Sequence, residues 1–259
     1  MTRKHIRWTL LLTALVAVFA ACMCRAETQM PFREGESVVF RLRWGFIVAG
    51  RATLNVHEQT TVNGVPARHF STSIRTTGLV EKIYKVRTRL DSYVTLDGTR
   101  ALAYEKKQRE GKKRAHFTVD FDWAQKTAVR TDKKTGKSRP PVDLPDTVTD
   151  MIGALYRFRQ LPLAVDETYT LPVTNGKKVV QGQAEVIERE TVKVPAGKFD
   201  AYKITPRTAD LGGVFEKDDD ADLFLWFTAD RRHLPVRVAS AVMVGNFIAE
   251  AVEIRSPEE

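Results

Sequence analysis

Cysteine is nearly missing from this chain of 259 residues: its two cysteines, Cys22 and Cys24, both lie close to the N-terminus. Cleavage after Ala26 would leave a mature protein with no cysteine. It would exclude disulfide bonds, thiolate catalysis and cysteine-ligated metal sites together. The cleaved chain is also only mildly basic, because residues 1–26 hold four of the 41 Lys and Arg residues and none of the 32 acidic ones, which leaves a balance of +5.

The short motifs of common enzyme chemistry are missing as well. The sequence has no G-x-S-x-G nucleophile elbow, no phosphate-binding or dinucleotide-binding glycine loop, and no H-E-x-x-H zinc motif. Beyond residue 26, the histidines fall one to a segment and no pair has metal-ligand spacing; they are His57, His69, His116 and His233. We therefore expect a protein that is not an enzyme, with no catalytic residue, no metal and no cofactor.

An acidic run at residues 216–222 resembles the start of a calcium loop. Asp218, Asp220 and Asp222 match the first three ligand positions of an EF-hand, but Leu223 and Ala229 stand where that loop needs Gly and Glu. The mismatch excludes an EF-hand. A solvated turn is the favoured interpretation, with a weak calcium site as the alternative.

What the N-terminus does contain is an export signal. Arg3, Lys4 and Arg7 precede an apolar run at residues 8–24, which is typical of a Sec signal peptide. We predict a signal peptide at residues 1–26 and release of one periplasmic domain, residues 27–259. Two alternatives are a lipoprotein anchored through Cys22, whose lipobox is imperfect, and an uncleaved anchor, for which the run falls short of about 20 residues.

Apolar and polar residues alternate through most of the chain, which is typical of half-buried antiparallel strands. Val38, Phe40 and Leu42, for example, would share one face, and two Asn-Gly pairs predict tight hairpin turns. Strands are predicted at residues 86–95 and 113–122, among others. We predict a mainly β fold: a curved antiparallel meander of roughly a dozen strands that forms an open or closed barrel-like sheet, with one or two short helices.

One segment is predicted to be an amphipathic helix. Apolar residues recur every three or four positions between Val148 and Phe158, and Asp146 or Thr147 would cap the N-terminus. No linker or repeat divides the chain into further domains.

The stretch TTGLVEKIYKVRTRLDSYV, residues 76–94, combines a glycine, a short apolar segment and a strand pattern. The apolar segment is long enough for about two helical turns. We expect it to plug one end of the curled sheet, with a ligand gate as the alternative. The residues concerned are Gly78, Leu79, Val80, Ile83 and Tyr84.

A basic hairpin is predicted at residues 104–116, YEKKQREGKKRAH, with its turn at Glu110–Gly111. Six side chains would cluster near the tip: Lys106, Lys107, Arg109, Lys112, Lys113 and Arg114. Residues 133–139 add further Lys and Arg. In an exported protein such a cluster favours contact with an anionic membrane surface rather than nucleic acid. The favoured interpretation, however, is a solvated hairpin whose lysines prevent edge pairing, with contact to an anionic surface as the alternative.

Five blocks of the sequence together resemble a known family. They are GESVVFRLRWGFIVAGRATLNV, TTGLVEKIYKVRTRLDSYV, YEKKQREGKKR, MIGALYRFRQLPL and VKVPAGKFDAYKITP, in this order. They are similar to the bacterial domain-of-unknown-function family 3108, over roughly residues 32–254. The resemblance implies an exported, β-rich protein of Gram-negative bacteria, with no established activity and no catalytic residues to transfer.

Large apolar residues on alternating faces would suit a hollow apolar interior, although a packed core explains them equally well; they are Trp44, Phe46, Phe70, Phe117, Phe121, Phe224, Trp226 and Phe247. The leading hypothesis is a non-enzymatic periplasmic protein that binds or carries a lipid, a lipoprotein-like ligand or another amphiphile. It rests on analogy with half-barrel carriers. A module docking on an envelope protein is the alternative, and an enzyme acting on a cell-wall polymer comes third. An open apolar cavity would favour the carrier, and a filled interior with an exposed patch the docking module.

Overall fold

The computed structural model describes residues 30–207, 223–241 and 246–257. The predicted signal peptide, with Cys22, and the acidic run at residues 216–222 lie outside the described residues. Within them, no helix has both the length and the apolar composition needed to cross a membrane.

Fifteen strands and two short helices make up the described fold. The strands are β1 Ser37–Trp44, β2 Ile47–Val56, β3 Thr60–Val62, β4 Val65–Thr76, β5 Val86–Thr95, β6 Ala101–Glu110, β7 Lys113–Asp122, β8 Thr127–Asp132, β9 Val142–Asp143, β10 Thr168–Thr174, β11 Val179–Val194, β12 Gly197–Arg207, β13 Leu223–Thr228, β14 Pro235–Ala241 and β15 Asn246–Arg255. The helices are α1 Gly78–Ile83, between β4 and β5, and α2 Met151–Phe158, between β9 and β10.

All strands belong to one antiparallel sheet that does not close on itself. Its path runs from β10 to β15, passes from β15 to β1, and continues through β2 and β4 to β9, while β3 pairs only with β4. The pairing of β15 with β1 therefore joins the two halves of the chain. This arrangement confirms the predicted mainly β fold with an open, barrel-like sheet and two short helices.

Local sequence explains one tight turn and one close approach of two strands in the sheet. Asn63 and Gly64 both have positive φ, 50° and 82°, as a two-residue hairpin turn between β3 and β4 requires. At Gly50, a Cβ atom would lie 2.1 Å from the carbonyl oxygen of Arg75. Only glycine therefore lets β2 approach β4 this closely.

Helix α2 starts later than the sequence indicated. Its N-cap is Asp150, whose Oδ1 accepts hydrogen bonds from the backbone N–H groups of Ile152 and Gly153. The prediction of a cap at Asp146 or Thr147 was wrong. The chain before Asp150 is held in isolated bridges to other strands, so tertiary pairing overrode the helical pattern there.

The face of the sheet that α2 covers is filled with apolar side chains. The Tyr156 ring stacks on Phe70 with ring centroids 3.8 Å apart. One cluster joins β1 to β11–β15 around Phe40 and Trp226, and a second lies around Phe158 at the end of α2. The predicted interior aromatics Phe70, Phe117, Phe121 and Trp226 are buried in this packing, whereas Trp44 and Phe46 are exposed.

Candidate basic binding site

Six arginines stand directly opposite one another across neighbouring strands. Cross-strand partners project from the same face of a sheet, so these side chains form one line, which we call the arginine row. Its members, from β1 through β2, β4, β5 and β6 to β7, are Arg41, Arg51, Arg75, Arg87, Arg109 and Arg114. Like charges in this position destabilise a sheet.

The arginine row borders a cavity of about 740 Å³, which we call the basic cavity. Five arginines of the row line it, together with Arg89, Lys107, His116 and Lys134. Its remaining lining residues are uncharged, and no Asp or Glu is among the described residues that line it. The site therefore presents an excess of positive charge to whatever enters it.

Three members of the arginine row have partners and the other three do not, within the part of the chain that the structure describes. Arg87 forms an ion pair with Glu81 of α1, and Arg114 donates a hydrogen bond of 2.6 Å to the Gly111 carbonyl. Arg41 lies 3.7 Å from Glu250. The guanidinium groups of three exposed members have no ion pair or hydrogen-bond partner among the residues that the structure describes; these are Arg51, Arg75 and Arg109.

Two to four residues further along β5, several charged side chains are paired with one another. Arg89 donates two hydrogen bonds of 2.7 Å to the Asp91 carboxylate, and the Nε2 atom of His69 lies 2.9 Å from Asp91 Oδ1. Directly opposite Asp91, Glu105 contacts His116 at 2.7 Å. We call Arg89, Asp91, His69, Glu105 and His116 the paired cluster.

The electrostatics of the paired cluster follow from these contacts. Burial raises the pKa of Asp91, but the hydrogen bonds from His69 and Arg89 outweigh burial and lower the pKa to about 2. The same hydrogen bond to Asp91 raises the pKa of Arg89. Asp91 and Arg89 therefore both stay charged over the physiological pH range.

Two of the scattered histidines meet beside this cluster. The His57 ring stacks on His69 at 4.2 Å, and His69 stacks on Tyr93 at 4.4 Å. The Nε2 atom of His57 lies 2.8 Å from the hydroxyl of Ser71, which is buried. Burial lowers the pKa of His57. In a nucleophilic triad, one histidine contacts both the serine and the aspartate. Here Ser71 contacts His57 and Asp91 contacts His69, so these groups do not form a triad.

The structure brings together half of the predicted basic hairpin. Lys107, Arg109 and Arg114 line the basic cavity. Lys106 stands opposite Leu90 and Phe117 on the other face of the sheet, because neighbouring residues of a strand alternate in direction. Lys112 and Lys113 are exposed at the turn, outside the lining.

Sequence reasoning missed Arg51, Arg75, Arg87 and Arg89, which complete the cavity from β2, β4 and β5. Their only signal in the sequence is an arginine on the polar face of several strands in turn. That signal becomes a site only when the strand register is known.

The predicted end plug is not buried. Gly78 and Tyr84 are exposed, Val80 is half-buried, and the side chains of Leu79 and Ile83 are 76% and 88% exposed. A plug would need these side chains in the interior of the sheet. In the described structure they are exposed to solvent instead. The alternative of a gate stays a prediction.

Among the described residues, no group of three metal-ligating side chains is close enough together to hold a metal ion.

The comparisons with known proteins add a family and a fold. A family model described as a protein of unknown function, DUF3108, matches residues 39–252. No curated protein matches the chain.

Among solved structures, a β-barrel-like protein of DUF1849 from Brucella abortus is similar, with a TM-score of 0.59 at 10% identity over 88% of this chain and 100% of that chain. This likeness shows the fold alone. A Bacteroides fragilis protein described as exported, with a YmcC-like fold, matches at a TM-score of 0.36, with 11% identity over 88% and 98% of the two chains. A Parabacteroides distasonis protein described as a lipoprotein matches at 0.35, with 12% identity over 87% and 97%.

Proposed function

Since the chain belongs to the DUF3108 family of proteins of unknown function, we propose a function from its own geometry: a non-enzymatic protein of the cell envelope that binds an anionic amphiphile by its headgroup in the basic cavity. The observation that carries this proposal is that three cavity-lining arginines of the row, Arg51, Arg75 and Arg109, have no partner among the described residues. The export signal predicted at residues 1–26 supports the envelope as the place where the ligand is met.

An anionic group would remove the electrostatic cost of the row. Guanidinium groups bind phosphate and carboxylate oxygens through paired hydrogen bonds, and such charge-assisted bonds are among the strongest in proteins. The volume of about 740 Å³ falls within the range of about 300–1,000 Å³ that is typical of small-molecule sites. Phosphate carried by a phospholipid is an abundant anion in a bacterial envelope.

The packed interior supports recognition of the headgroup rather than enclosure of the acyl chains. Phe70, Phe117 and Trp226 fill the apolar face, and the Tyr156 ring of α2 covers it. The leading hypothesis from the sequence included carriage of a whole apolar ligand. Such carriage would need space that these side chains occupy. We therefore favour a headgroup site on the polar face of the sheet.

Calorimetric titration with dihexanoylphosphatidylglycerol, kept below the concentration at which it forms micelles, tests this function. We expect binding that weakens with added salt, and binding of dihexanoylphosphatidylcholine that is at least about tenfold weaker. The double variant Arg51→Gln and Arg75→Gln should bind the anionic probe at least about tenfold more weakly, because each removes a charge-assisted hydrogen-bond donor.

The matched control is Lys193→Gln with Lys198→Gln. These exposed lysines also stand directly opposite each other, on β11 and β12, away from the cavity. This control should bind as the wild type does. No measurable binding by the wild type, or equal losses in both double variants, would remove the basis of the proposed function.

A further inference from the structure

Three chain connections come together at one end of the sheet. Because the strands are antiparallel, the β1–β2 turn, the β4–β5 connection with α1, and the β6–β7 turn all lie at this end. The N–H of Thr77 donates to the Ala49 carbonyl at 3.1 Å, and the N–H of Gly111 donates to the Lys85 carbonyl at 3.0 Å. The Tyr84 ring packs so closely on Gly111 that a Cβ there would lie 2.6 Å from it.

Exposed apolar side chains concentrate at this end. Seven of the eleven large hydrophobic side chains that are exposed within the described residues belong to the β1–β2 turn and the α1 segment: Trp44, Phe46, Ile47, Val48, Leu79, Ile83 and Tyr84. We call them the apolar crest. The ring of Phe46 is fully exposed. Patches of this kind mark interaction surfaces, because a soluble surface rarely gathers so many large apolar groups.

Positive charge surrounds the apolar crest. Arg51 and Arg75 stand beside it on β2 and β4, and further exposed lysines lie on α1, after it and at the β6–β7 turn: Lys82, Lys85, Lys112 and Lys113. The one acidic side chain of α1, Glu81, is already paired with Arg87 and Lys85. The rim of the crest is therefore strongly cationic.

We infer that this end of the sheet docks on an anionic lipid bilayer. The apolar crest would enter the boundary between headgroups and acyl chains, while the surrounding Lys and Arg side chains contact lipid phosphates. Charge complementarity selects this occupant over a second copy of the chain, because two crests facing each other would oppose their cationic rims. The inference goes beyond the proposed function and does not require a ligand in the basic cavity.

Co-sedimentation of the exported chain with vesicles tests the docking surface. Vesicles of phosphatidylethanolamine with phosphatidylglycerol provide the anionic surface, and vesicles of phosphatidylcholine the neutral one. We expect partitioning to the anionic vesicles that is at least about tenfold stronger, since each basic side chain near such a surface adds to binding. Circular dichroism would verify that each variant is folded.

The informative variant is Phe46→Ser with Ile83→Ser, and the matched control is Val65→Ser with Leu96→Ser, which are exposed apolar residues at turns at the opposite end of the strands. The crest variant should lose about tenfold or more in partitioning to anionic vesicles, because its side chains no longer leave water. The control should partition like the wild type. Neither should alter calorimetric binding of dihexanoylphosphatidylglycerol.

Three outcomes would overturn the inference. The wild type would not sediment with anionic vesicles; the crest variant would sediment as well as the wild type; or the wild type would self-associate without lipid in an ultracentrifuge while the crest variant stays monomeric. The last result would assign the crest to a protein interface. If dihexanoylphosphatidylglycerol did not bind but sedimentation with vesicles still depended on the crest, only the proposed headgroup site would be contradicted.

Discussion

The arginine row and the paired cluster are neighbours on one face of the sheet, but they differ in how their charges are partnered. Arg89 of β5 has two hydrogen bonds to Asp91, whereas Arg75 of β4 faces Arg87 across the strands and has no partner among the described residues. Both lie on strands of the same sheet and border the same cavity. Under the proposed function, the paired cluster stabilises the sheet, while the unpaired arginines of the row contact a ligand.

A buried ion pair elsewhere in the fold should show the largest effect of a substitution on stability. Arg159 donates to Glu36 at 2.6 and 3.0 Å, and both side chains are almost completely buried. Glu36→Ala should lower the free energy of unfolding by about 3–5 kcal/mol, because it leaves a buried guanidinium without its counter-charge. Denaturant titration measures this.

The control for that change is Asp146→Ala, which breaks an exposed pair with Lys126 at 2.7 Å. Exposed pairs contribute about 0–1 kcal/mol. Similar losses in the two variants would contradict the view that burial makes a charge depend on its partner.

Within the sheet face itself, Asp91→Asn should have the next largest effect. It removes the charge that Arg89 and His69 bond, which should cost about 1.5–3 kcal/mol of unfolding free energy. Asp120→Asn, an exposed change on β7, should cost no more than about 0.5 kcal/mol. If denaturant titration gave both variants the same stability, the paired cluster would not be structural.

The pH dependence of stability sharpens the same comparison. The pKa of Asp91 is about 2 in the folded chain, against 3.8 for an ordinary aspartate. Its contribution is therefore present above about pH 4 and is lost as the pH falls through about 2. The stability difference between the wild type and Asp91→Asn should shrink over that range in denaturant titrations. A constant difference would mean that another interaction causes it.

The smallest stability effect is expected in the arginine row. Arg51→Gln with Arg75→Gln removes two opposed like charges, so the unfolding free energy should stay unchanged or rise by up to about 1 kcal/mol at low salt. Added salt should reduce any gain, because it screens the repulsion. A loss as large as that expected for Asp91→Asn would show that the row is structural and would remove the contrast.

Much of the fold could be predicted from the sequence because strand alternation and turn chemistry are local. β5 Val86–Thr95 and β7 Lys113–Asp122 have the predicted bounds, and the Asn63–Gly64 turn is where its residue types place it. The start of α2 could not be predicted, since residues just before Asp150 are held by bridges to Arg100 and Val173.

The site was harder to predict than the fold. Arg51, Arg75 and Arg109 lie apart in sequence, and only the successive pairing of β2, β4, β5 and β6 places them in one line. The register also decides that Lys107 lines the cavity and Lys106 does not. Composition identified the basic hairpin but could not identify its partners on other strands.

The central claim is that the unpaired arginines are the ones that contact an anionic headgroup. Nuclear magnetic resonance of the arginine side-chain Nε–H groups, during titration with dihexanoylphosphatidylglycerol, tests this most directly. We expect the largest shifts at Arg51, Arg75 and Arg109, and small shifts at Arg189 and Arg255, which are exposed and paired with Asp200 and Glu253. Equal shifts at all exposed arginines, or shifts only at Arg189 and Arg255, would contradict the claim.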